Sequence, residues 1–192
     1  MKIRESGMPE DASHWESLFD PVQFLQTVGF DAGREAVADF GCGYGTFTLP
    51  LARCVGGRVY AIDVEPQMLE AVRRRAAEQS LTNIILLQRD LILEGSGLSP
   101  ESVEGVLLAH LLHGEEAENV RLLREAHRIL RVGGQVAIIH WRSDVPTPRG
   151  PTLSFRPSRE QCAEWSIQAE FIKGSEEKYQ LGMHHWGLVM RK

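Results

Sequence analysis

The stretch VADFGCGYGTF, residues Val37–Phe47, decides how the rest of the chain is interpreted. An apolar strand ends near the acid Asp39 and is followed by three alternating glycines and the start of a helix. Glycine has no β-carbon, so the backbone can turn sharply and let a ligand lie against it. The spacing is G-x-G-x-G, whereas the dinucleotide fingerprint G-x-G-x-x-G needs a glycine where Thr46 stands. Asp39 would repel a pyrophosphate and attract an ammonium group, while the loop alone is equally compatible with a simple tight turn.

Composition is that of an ordinary globular protein. The 192 residues are 43% hydrophobic and 24% charged, which suits one domain with a substantial core. A net charge of −5 gives no overall attraction to nucleic acid, so a nucleic-acid partner is not expected. Cys42, Cys54 and Cys162 are scattered, which argues against a disulfide framework and gives no support to a metal site. The sequence has neither a signal-peptide pattern nor a membrane-spanning run, so we expect a cytoplasmic protein.

Short apolar strands alternate with helical patterns along the chain, which is typical of a mostly parallel sheet with helices on both faces. The predicted strands are Ala36–Phe40, Arg58–Asp63, Asn83–Gln88, Val103–His110 and Gln135–His140, with two more near Glu170–Tyr179 and His184–Arg191. The predicted helices are Thr46–Cys54, one beginning at Pro66, Glu115–Leu130 ended by Gly133 and Gly134, and Ser158–Ile167 with a capping box. The proline-rich stretch between Trp141 and Pro157 is predicted to be a long loop.

Four segments in the right order, across roughly residues 35 to 140, resemble the class I S-adenosylmethionine-dependent methyltransferases. They are VADFGCGYG, AIDVEPQML, QRDL and ILRVGGQVAI, the last with Val132 where the family usually has proline. The resemblance implies a single α/β domain, a Rossmann-like three-layer sandwich whose seven-stranded, mostly parallel sheet ends in an antiparallel hairpin. Its implied parts are N-terminal lid helices (1–32), a cofactor-binding core (33–140), an acceptor-side loop (141–157) and a terminal helix with strands (158–192).

The resemblance also implies which residues hold S-adenosylmethionine and its product S-adenosylhomocysteine. The loop of Gly41, Cys42, Gly43 and Gly45 would pack against the methionine portion, with Asp39 near its ammonium group. Asp63 would hold the ribose hydroxyls. The remaining expected contacts are Val64, Met68 and Leu91 to the adenine ring, Asp90 to its amine, and Ala109 and His110 near the sulfonium. Alternatively, Asp63 and Asp90 are helix N-caps and Met68 is a core residue. Tyr44 covers the methionine portion or only caps the loop.

The acceptor half of the site is less defined by sequence. His113 and His140 follow predicted strands, where an imidazole could remove a proton from the acceptor, although His113 could instead start a helix. The aromatic residues of the two expected lids could form an apolar pocket or only dock the lids to the core: Trp15, Phe19, Phe24, Trp141 and Phe155. His14 lies in the first lid, and Arg142, Arg149 and Arg156 are candidate anchors for an anion.

These features favour a methyltransferase of a small-molecule acceptor, similar to quinone-biosynthesis C-methyltransferase-like proteins of the methyltransferase type 11 branch. The chain has no N-P-P-Y or D-P-P-Y sequence, which argues against methylation of exocyclic base or glutamine amides through that motif. The alternatives are a methyltransferase of RNA or protein and a non-catalytic cofactor-binding protein. A nicotinamide-dependent oxidoreductase is opposed by the glycine spacing and Asp39. The sequence leaves open the acceptor, the attacked atom, the pathway and whether the protein is a monomer or a homodimer.

Overall fold

The computed structural model describes residues 20–147, 150–173, 179–181 and 183–192. In them the helices are α1 (Pro21–Thr27), α2 (Thr48–Cys54), α3 (Pro66–Glu78), α4 (Glu116–Ile129) and α5 (Arg159–Gln168), with a 3-10 turn at Leu153–Phe155. The strands are β1 (Ala36–Phe40), β2 (Arg58–Asp63), β3 (Ile84–Gln88), β4 (Val103–Ala109), β5 (Leu130–Trp141), β6 (Ile172–Lys173), β7 (Tyr179–Leu181) and β8 (His185–Arg191).

All the strands belong to one sheet with the order β3-β2-β1-β4-β5-β8-β6, and β7 also pairs with β8. Strands β1 to β5 are mutually parallel. Strand β8 runs antiparallel to β5, and β6 and β7 run antiparallel to β8. The chain changes direction across the sheet between β1 and β4. Open α/β sheets bind ligands at the carboxyl ends of the strands at such a point, so this edge is the place for the functional site.

The predicted α/β, three-layer fold is confirmed, with one difference at its C-terminal edge. The single strand predicted near Glu170–Tyr179 is two short strands, so the described part of the sheet has eight strands instead of seven. Strand β6 pairs with one end of β8, at Met190 and Arg191, while β7 pairs with the other end, at His185–Gly187. One long strand therefore has two short partners along the same edge.

The sequence predicted that Gly133 and Gly134 end helix α4, and this prediction is wrong. Helix α4 ends at Ile129 and the chain passes directly into β5. The register between β4 and β5 shifts after Val103, and Gly133 lies in the affected segment with a φ of +77°. The two glycines therefore lie inside β5, where they accommodate the irregular backbone of a β-bulge.

Two helical layers cover the sheet. Phe24 of α1 packs with Leu107 on one face, and Leu123 of α4 and Trp165 of α5 pack with Ile138 on the other. Burial of such a side chain contributes roughly 1.5–3 kcal/mol, which fixes both layers to the sheet. The capping box predicted for α5 is present, with Ser158 and Gln161 bonded to each other's backbone N–H. No helix in the described part of the chain has the length and apolar character needed to cross a bilayer.

Candidate active site

The loop after β1 requires glycine for two reasons. Gly41, Gly43 and Gly45 have φ values of +69°, +50° and +82°, in the left-handed region that other residues rarely adopt. A β-carbon on Gly41 would also lie 2.9 Å from Cδ1 of Leu111, and one on Gly45 would lie 3.1 Å from Cγ2 of Val72. The loop therefore packs with bare backbone against its surroundings, which leaves its outer side accessible to close approach.

Hydrogen bonds fix this loop from two sides. The backbone N–H groups of Gly41 and Cys42 donate to the Ile62 carbonyl over 2.8 and 3.0 Å, and the Arg75 guanidinium donates to the Tyr44 carbonyl over 2.8 Å. The Cys42 side chain is buried in a small apolar cluster, and burial raises the pKa of its thiol. Only the backbone of Cys42 is therefore available to a ligand, and the role of the Tyr44 side chain stays a prediction.

Asp63 ends β2 and is tied to the glycine loop. Its Oδ2 accepts from the Gly43 N–H and its Oδ1 accepts from the Glu65 N–H, both over 2.9 Å. Burial raises the pKa of Asp63, while these two hydrogen bonds act in the opposite direction. A carboxylate has about four acceptor sites, so each oxygen can take another hydrogen bond. Asp63 is not the cap of α3, whose N-cap residue is Glu65.

Asp39 lies beneath the loop and not on its outer side. It is 2% exposed, and its Oδ2 accepts from the Thr48 hydroxyl over 2.6 Å. Burial raises the pKa of Asp39 to about 7 against the opposing effect of this hydrogen bond, and Asp63 adds to the increase. Sequence reasoning missed Thr48, although a hydroxyl residue in the first turn of α2 was visible. The predicted interaction of Asp39 with an ammonium group would therefore be an electrostatic attraction across the loop.

The residues expected around adenine differ in accessibility. Val64 is 37% exposed and Met68 is half-buried, so both can contact a ligand. Asp90 follows β3, and its Oδ1 accepts from the N–H groups of Ile92 and Leu93, each over 3.0 Å. The capping alternative therefore applies to this oxygen. Leu91 is buried in the main core cluster, and its contact with the adenine ring stays a prediction.

Four imidazole rings gather where β4 and β5 end and the antiparallel β8 begins; we call His110, His113, His140 and His185 the histidine cluster. The ring centroid of His110 is 5.9 Å from that of His140 and 5.1 Å from that of His185, and His113 is 6.4 Å from His140. His110 directly follows Ala109 with a φ of +56°, an unusual conformation for histidine that turns the chain out of β4.

Three members of the histidine cluster, His110, His140 and His185, are uncharged near neutral pH. Burial lowers the pKa of both His140 and His185 to about 3, and nearby histidines and Arg156 add to the effect. The pKa of His110 is also well below its usual value, because of burial and then the other three histidines. Neutral imidazoles can accept a proton from a substrate. Among the described residues, no group of histidine, cysteine or acidic side chains has the geometry to hold a metal ion.

Strand β8 supplies two cluster neighbours that sequence reasoning did not place. His185 pairs with Trp141 across the β5–β8 ladder, and Trp186 pairs with His140. The Trp141 and His185 rings are 4.1 Å apart, and the His140 and Trp186 rings stack at 27° with centroids 6.1 Å apart. The only available signal was the dipeptide His-Trp in both strands, which becomes informative once their antiparallel register is known.

Some of the predicted lid residues have structural roles, and others lie outside the described residues. Phe24 is buried against Phe47, so it docks α1 to the core as the alternative stated, whereas Phe155 is 66% exposed. The guanidinium of Arg142 makes a two-bond pair with Asp144. His14, Trp15, Phe19 and Arg149 lie outside the described residues.

Arg156 organises the proline-rich loop. Its guanidinium donates to the carbonyls of Pro151, Arg142 and Val145 over 2.7, 3.0 and 3.4 Å, and to the Thr147 hydroxyl over 2.6 Å. It also lies 5.4 Å from the Trp141 ring centroid. These contacts make Arg156 a structural residue of the loop and not the anion anchor that the sequence suggested.

Two surface grooves lie away from the carboxyl ends of β4 and β5. One runs between α3 and β3 and includes Leu69 and Leu86, and the other lies at the amino ends of the strands, beside Arg34 and Gly133. Neither is lined by the glycine loop or by the histidine cluster. The oriented polar atoms belong to the glycine loop and the histidine cluster, which therefore form the candidate site.

Comparisons with known proteins agree with this site. Residues 37–134, just over half of the chain, match the methyltransferase domain family. Aklanonic acid methyltransferase DauC of Streptomyces sp. (strain C5) is 45% identical over 125 residues, which are 64% of this chain and 53% of that protein. The 23S rRNA (uracil(1939)-C(5))-methyltransferase RlmD of Acinetobacter baylyi is 42% identical over 59 residues, which are 30% of this chain and 13% of that protein.

A solved structure shows the same fold over nearly the whole chain. The crystal structure of a SAM-dependent methyltransferase from Aquifex aeolicus superposes with a TM-score of 0.80 and 24% identity, covering 94% of this chain and 93% of that one. The chain spans about half or less of the length of the two curated relatives described above.

The fold and the glycine loop define a class I Rossmann-like methyltransferase domain, as predicted. The chain belongs to the methyltransferase domain family, and its cofactor is S-adenosylmethionine. The residues present fit this molecule: Asp63 is oriented with acceptor sites to spare, and the loop backbone can be approached closely. The narrower resemblance to the quinone-biosynthesis branch stays a prediction.

Proposed function

We propose that the protein transfers a methyl group from S-adenosylmethionine to a small-molecule acceptor. The observation that carries the proposal is the carboxylate of Asp63, held by two backbone N–H groups beside the left-handed glycine loop. This arrangement offers oriented acceptors for a pair of ribose hydroxyls. The similarity to a relative named for aklanonic acid supports a small-molecule acceptor.

The residues proposed to hold the cofactor lie at the tips of β1 to β4. The backbone of the glycine loop would contact the methionine portion of the cofactor, through Gly41, Cys42, Gly43 and Gly45. Asp39 lies beneath this loop and would favour the positive charge of the ammonium group. Asp63 would bind the ribose. Further proposed contacts are Val64, Met68, Asp90 and Leu91 around adenine, with Ala109 and His110 on the side toward the histidine cluster.

The proposed acceptor site is the histidine cluster, which lies on the side of β1 where β4, β5 and β8 follow in order. Bound S-adenosylmethionine supplies a methyl group on a positively charged sulfur. The protein's part is to hold the acceptor in line, exclude water and take up the proton that the acceptor releases when it gains the methyl group. His140 and His113 are the proposed proton acceptors, because their rings lie 6.4 Å apart beyond the tip of β4 and at the tip of β5.

Calorimetric titration with S-adenosylmethionine, S-adenosylhomocysteine and NAD tests the cofactor assignment. Asp63→Ala is expected to weaken binding of S-adenosylmethionine by about 1–3 kcal/mol, through loss of charge-assisted hydrogen bonds. Glu65→Ala is the matched control, because it removes a neighbouring carboxylate but keeps the backbone N–H that donates to Asp63. Unchanged affinity in Asp63→Ala, or preferential binding of NAD, would contradict the assignment.

The acceptor is tested by incubation with methyl-labelled S-adenosylmethionine and separate pools of small metabolites, RNA and protein. We expect label in the metabolite pool, with His140→Phe and His113→Ala both reducing the rate. Label only in RNA or protein would favour the alternative acceptors. Tight cofactor binding with no transfer to any pool would favour a non-catalytic cofactor-binding protein. The expected cytoplasmic location stays a prediction.

A further inference from the structure

Two buried polar side chains stand side by side at the acceptor end of the sheet. His140 is 1% exposed and Trp186 is 8% exposed, and their rings stack across the β5–β8 ladder. Within the described residues, neither ring nitrogen of His140 nor Nε1 of Trp186 has a hydrogen-bond partner of normal geometry. Buried polar groups are nearly always paired, because leaving one without a partner costs free energy. A bound molecule that supplies the missing partners would recover that energy.

The same layer holds a third group of this kind. Asn119 lies in the first turn of α4, the helix whose Leu122 and Leu123 pack in one cluster with Ile138 and Trp186. Asn119 is fully buried, and in the described part of the chain neither atom of its amide is paired. Since α4 starts at the carboxyl end of β4, all three polar groups lie on one face and at one end of the sheet.

The chemistry of these groups limits what can satisfy them. An indole N–H only donates, so Trp186 requires an acceptor such as a carbonyl oxygen. A neutral imidazole has one donor and one acceptor, so His140 can accept a hydrogen bond from a hydroxyl group.

Charge at this place is limited as well. The groups that shift the pKa values of the three most buried histidines are other histidines and Arg156. Arg156 already contacts four oxygen atoms of the proline-rich loop, and Arg142 is paired with Asp144. A carboxylate or phosphate on the acceptor would therefore find no cation reserved for it among these residues.

We infer that the acceptor is an uncharged molecule with a hydroxyl and a carbonyl group, recognised by His140 through the hydroxyl and by Trp186 through the carbonyl. The inference rests on the proposed function, since it specifies the acceptor of that same site. It makes Trp186 a specificity-determining residue in a strand that contributes nothing to the cofactor side.

The test uses 3′-hydroxyacetophenone as the probe, in the presence of saturating S-adenosylhomocysteine. Three analogues each change one property: acetophenone lacks the hydroxyl, 3-ethylphenol lacks the carbonyl, and 3-hydroxybenzoate carries a negative charge. The hydroxyl is in the meta position, because an ortho hydroxyl would bond within the ligand. Dissociation constants are measured by ligand-observed NMR. For the unaltered protein we expect each neutral analogue to bind about 10-fold more weakly than the probe, the effect of about one lost hydrogen bond to a buried group. The charged 3-hydroxybenzoate should bind more weakly still.

Paired variants then locate the two contacts. In Trp186→Phe the probe and 3-ethylphenol should bind equally, while acetophenone should still bind more weakly. In His140→Phe the probe and acetophenone should bind equally, while the analogue that lacks the carbonyl should still bind more weakly. The matched controls are Trp165→Phe and His127→Phe, which change the same residue types on the helices and should keep both 10-fold differences. Far-ultraviolet circular dichroism and S-adenosylhomocysteine affinity verify that each variant is folded.

Several results would overturn the inference. One is a probe that fails to bind at its solubility limit. Others are equal binding of the probe and 3-ethylphenol by the unaltered protein, or a carbonyl effect that persists in Trp186→Phe. Failure of the proposed function looks different, because S-adenosylhomocysteine would then not bind or Asp63→Ala would not weaken it. With the cofactor bound and Trp186 without effect, only the acceptor assignment is lost.

Discussion

The two halves of the candidate site are constructed on opposite principles. At the tips of β1 and β2 the polar side chains are already bonded within the protein, Asp39 to Thr48 and Asp63 to two backbone N–H groups. At the tips of β5 and β8, His140 and Trp186 are buried with polar atoms that the described residues leave unpaired. The first half is preorganised for a fixed ligand. The second half depends on its ligand to complete it, which suits the part of the site where acceptors differ.

Acidification should affect the two halves in opposite directions and gives the largest expected effect. An unfolded histidine titrates near pH 6.5, whereas the pKa of His140 and of His185 in the folded chain is about 3. Below pH 6.5 the unfolded state binds more protons, so stability falls by roughly 1.4 kcal/mol per pH unit for each group. For Asp39 the folded pKa of about 7 lies above the unfolded value, so its protonation adds stability as the pH falls from 7 toward 4.

Urea unfolding at pH 6.5 and pH 4.5 measures this opposition. The loss of stability between the two values should be smaller in His140→Phe than in the unaltered protein by about 2–3 kcal/mol. In Asp39→Asn the loss should be larger by a similar amount, because the stabilising protonation is gone. Shifts of the same sign in both variants would show that the two halves do not differ in this way.

Gly41→Ala tests the preorganised half at its tightest backbone position. The new methyl group would meet Leu111 at 2.9 Å in a left-handed conformation, so we expect a loss of about 2–3 kcal/mol in unfolding free energy and weaker cofactor binding. Gly133→Ala is the control, because its φ is also positive but a β-carbon there meets nothing within 4 Å. It should cost about 1 kcal/mol. Equal losses would mean that conformation alone, and not close packing, determines the loop.

Thr48→Val should have the smallest effect of the three. The substitution keeps the shape of the side chain but removes the hydroxyl that donates to Asp39, so we expect a loss of about 1 kcal/mol, greater above pH 7 than below it. Thr27→Val is the control, because the Thr27 hydroxyl donates to the Gln23 carbonyl on an exposed helix. A loss that does not depend on pH would separate Thr48 from the titration of Asp39.

The same contrast explains what the sequence could predict. The cofactor half was readable because Asp39 and the glycines are close together in the chain, and the tip of β2 follows one helix later. The acceptor half was readable only in part, since His140 is on a predicted strand but Trp186 reaches it through antiparallel pairing with a distant strand. The sequence left two roles open for Asp90: one of its oxygens caps the next turn, and its contact with adenine stays a prediction.

Arg156 gives the proline-rich loop a property of its own. Stretches rich in proline lack the N–H donors that normally knit a chain together, and here one guanidinium gathers three carbonyl oxygens while resting on Trp141. Within the described residues of the loop, several hydrogen bonds therefore converge on one side chain. We expect loss of the Arg156 side chain to loosen the described part of the loop from Trp141. Because Trp141 also contacts His185, loosening of the loop at Trp141 would also affect the histidine cluster.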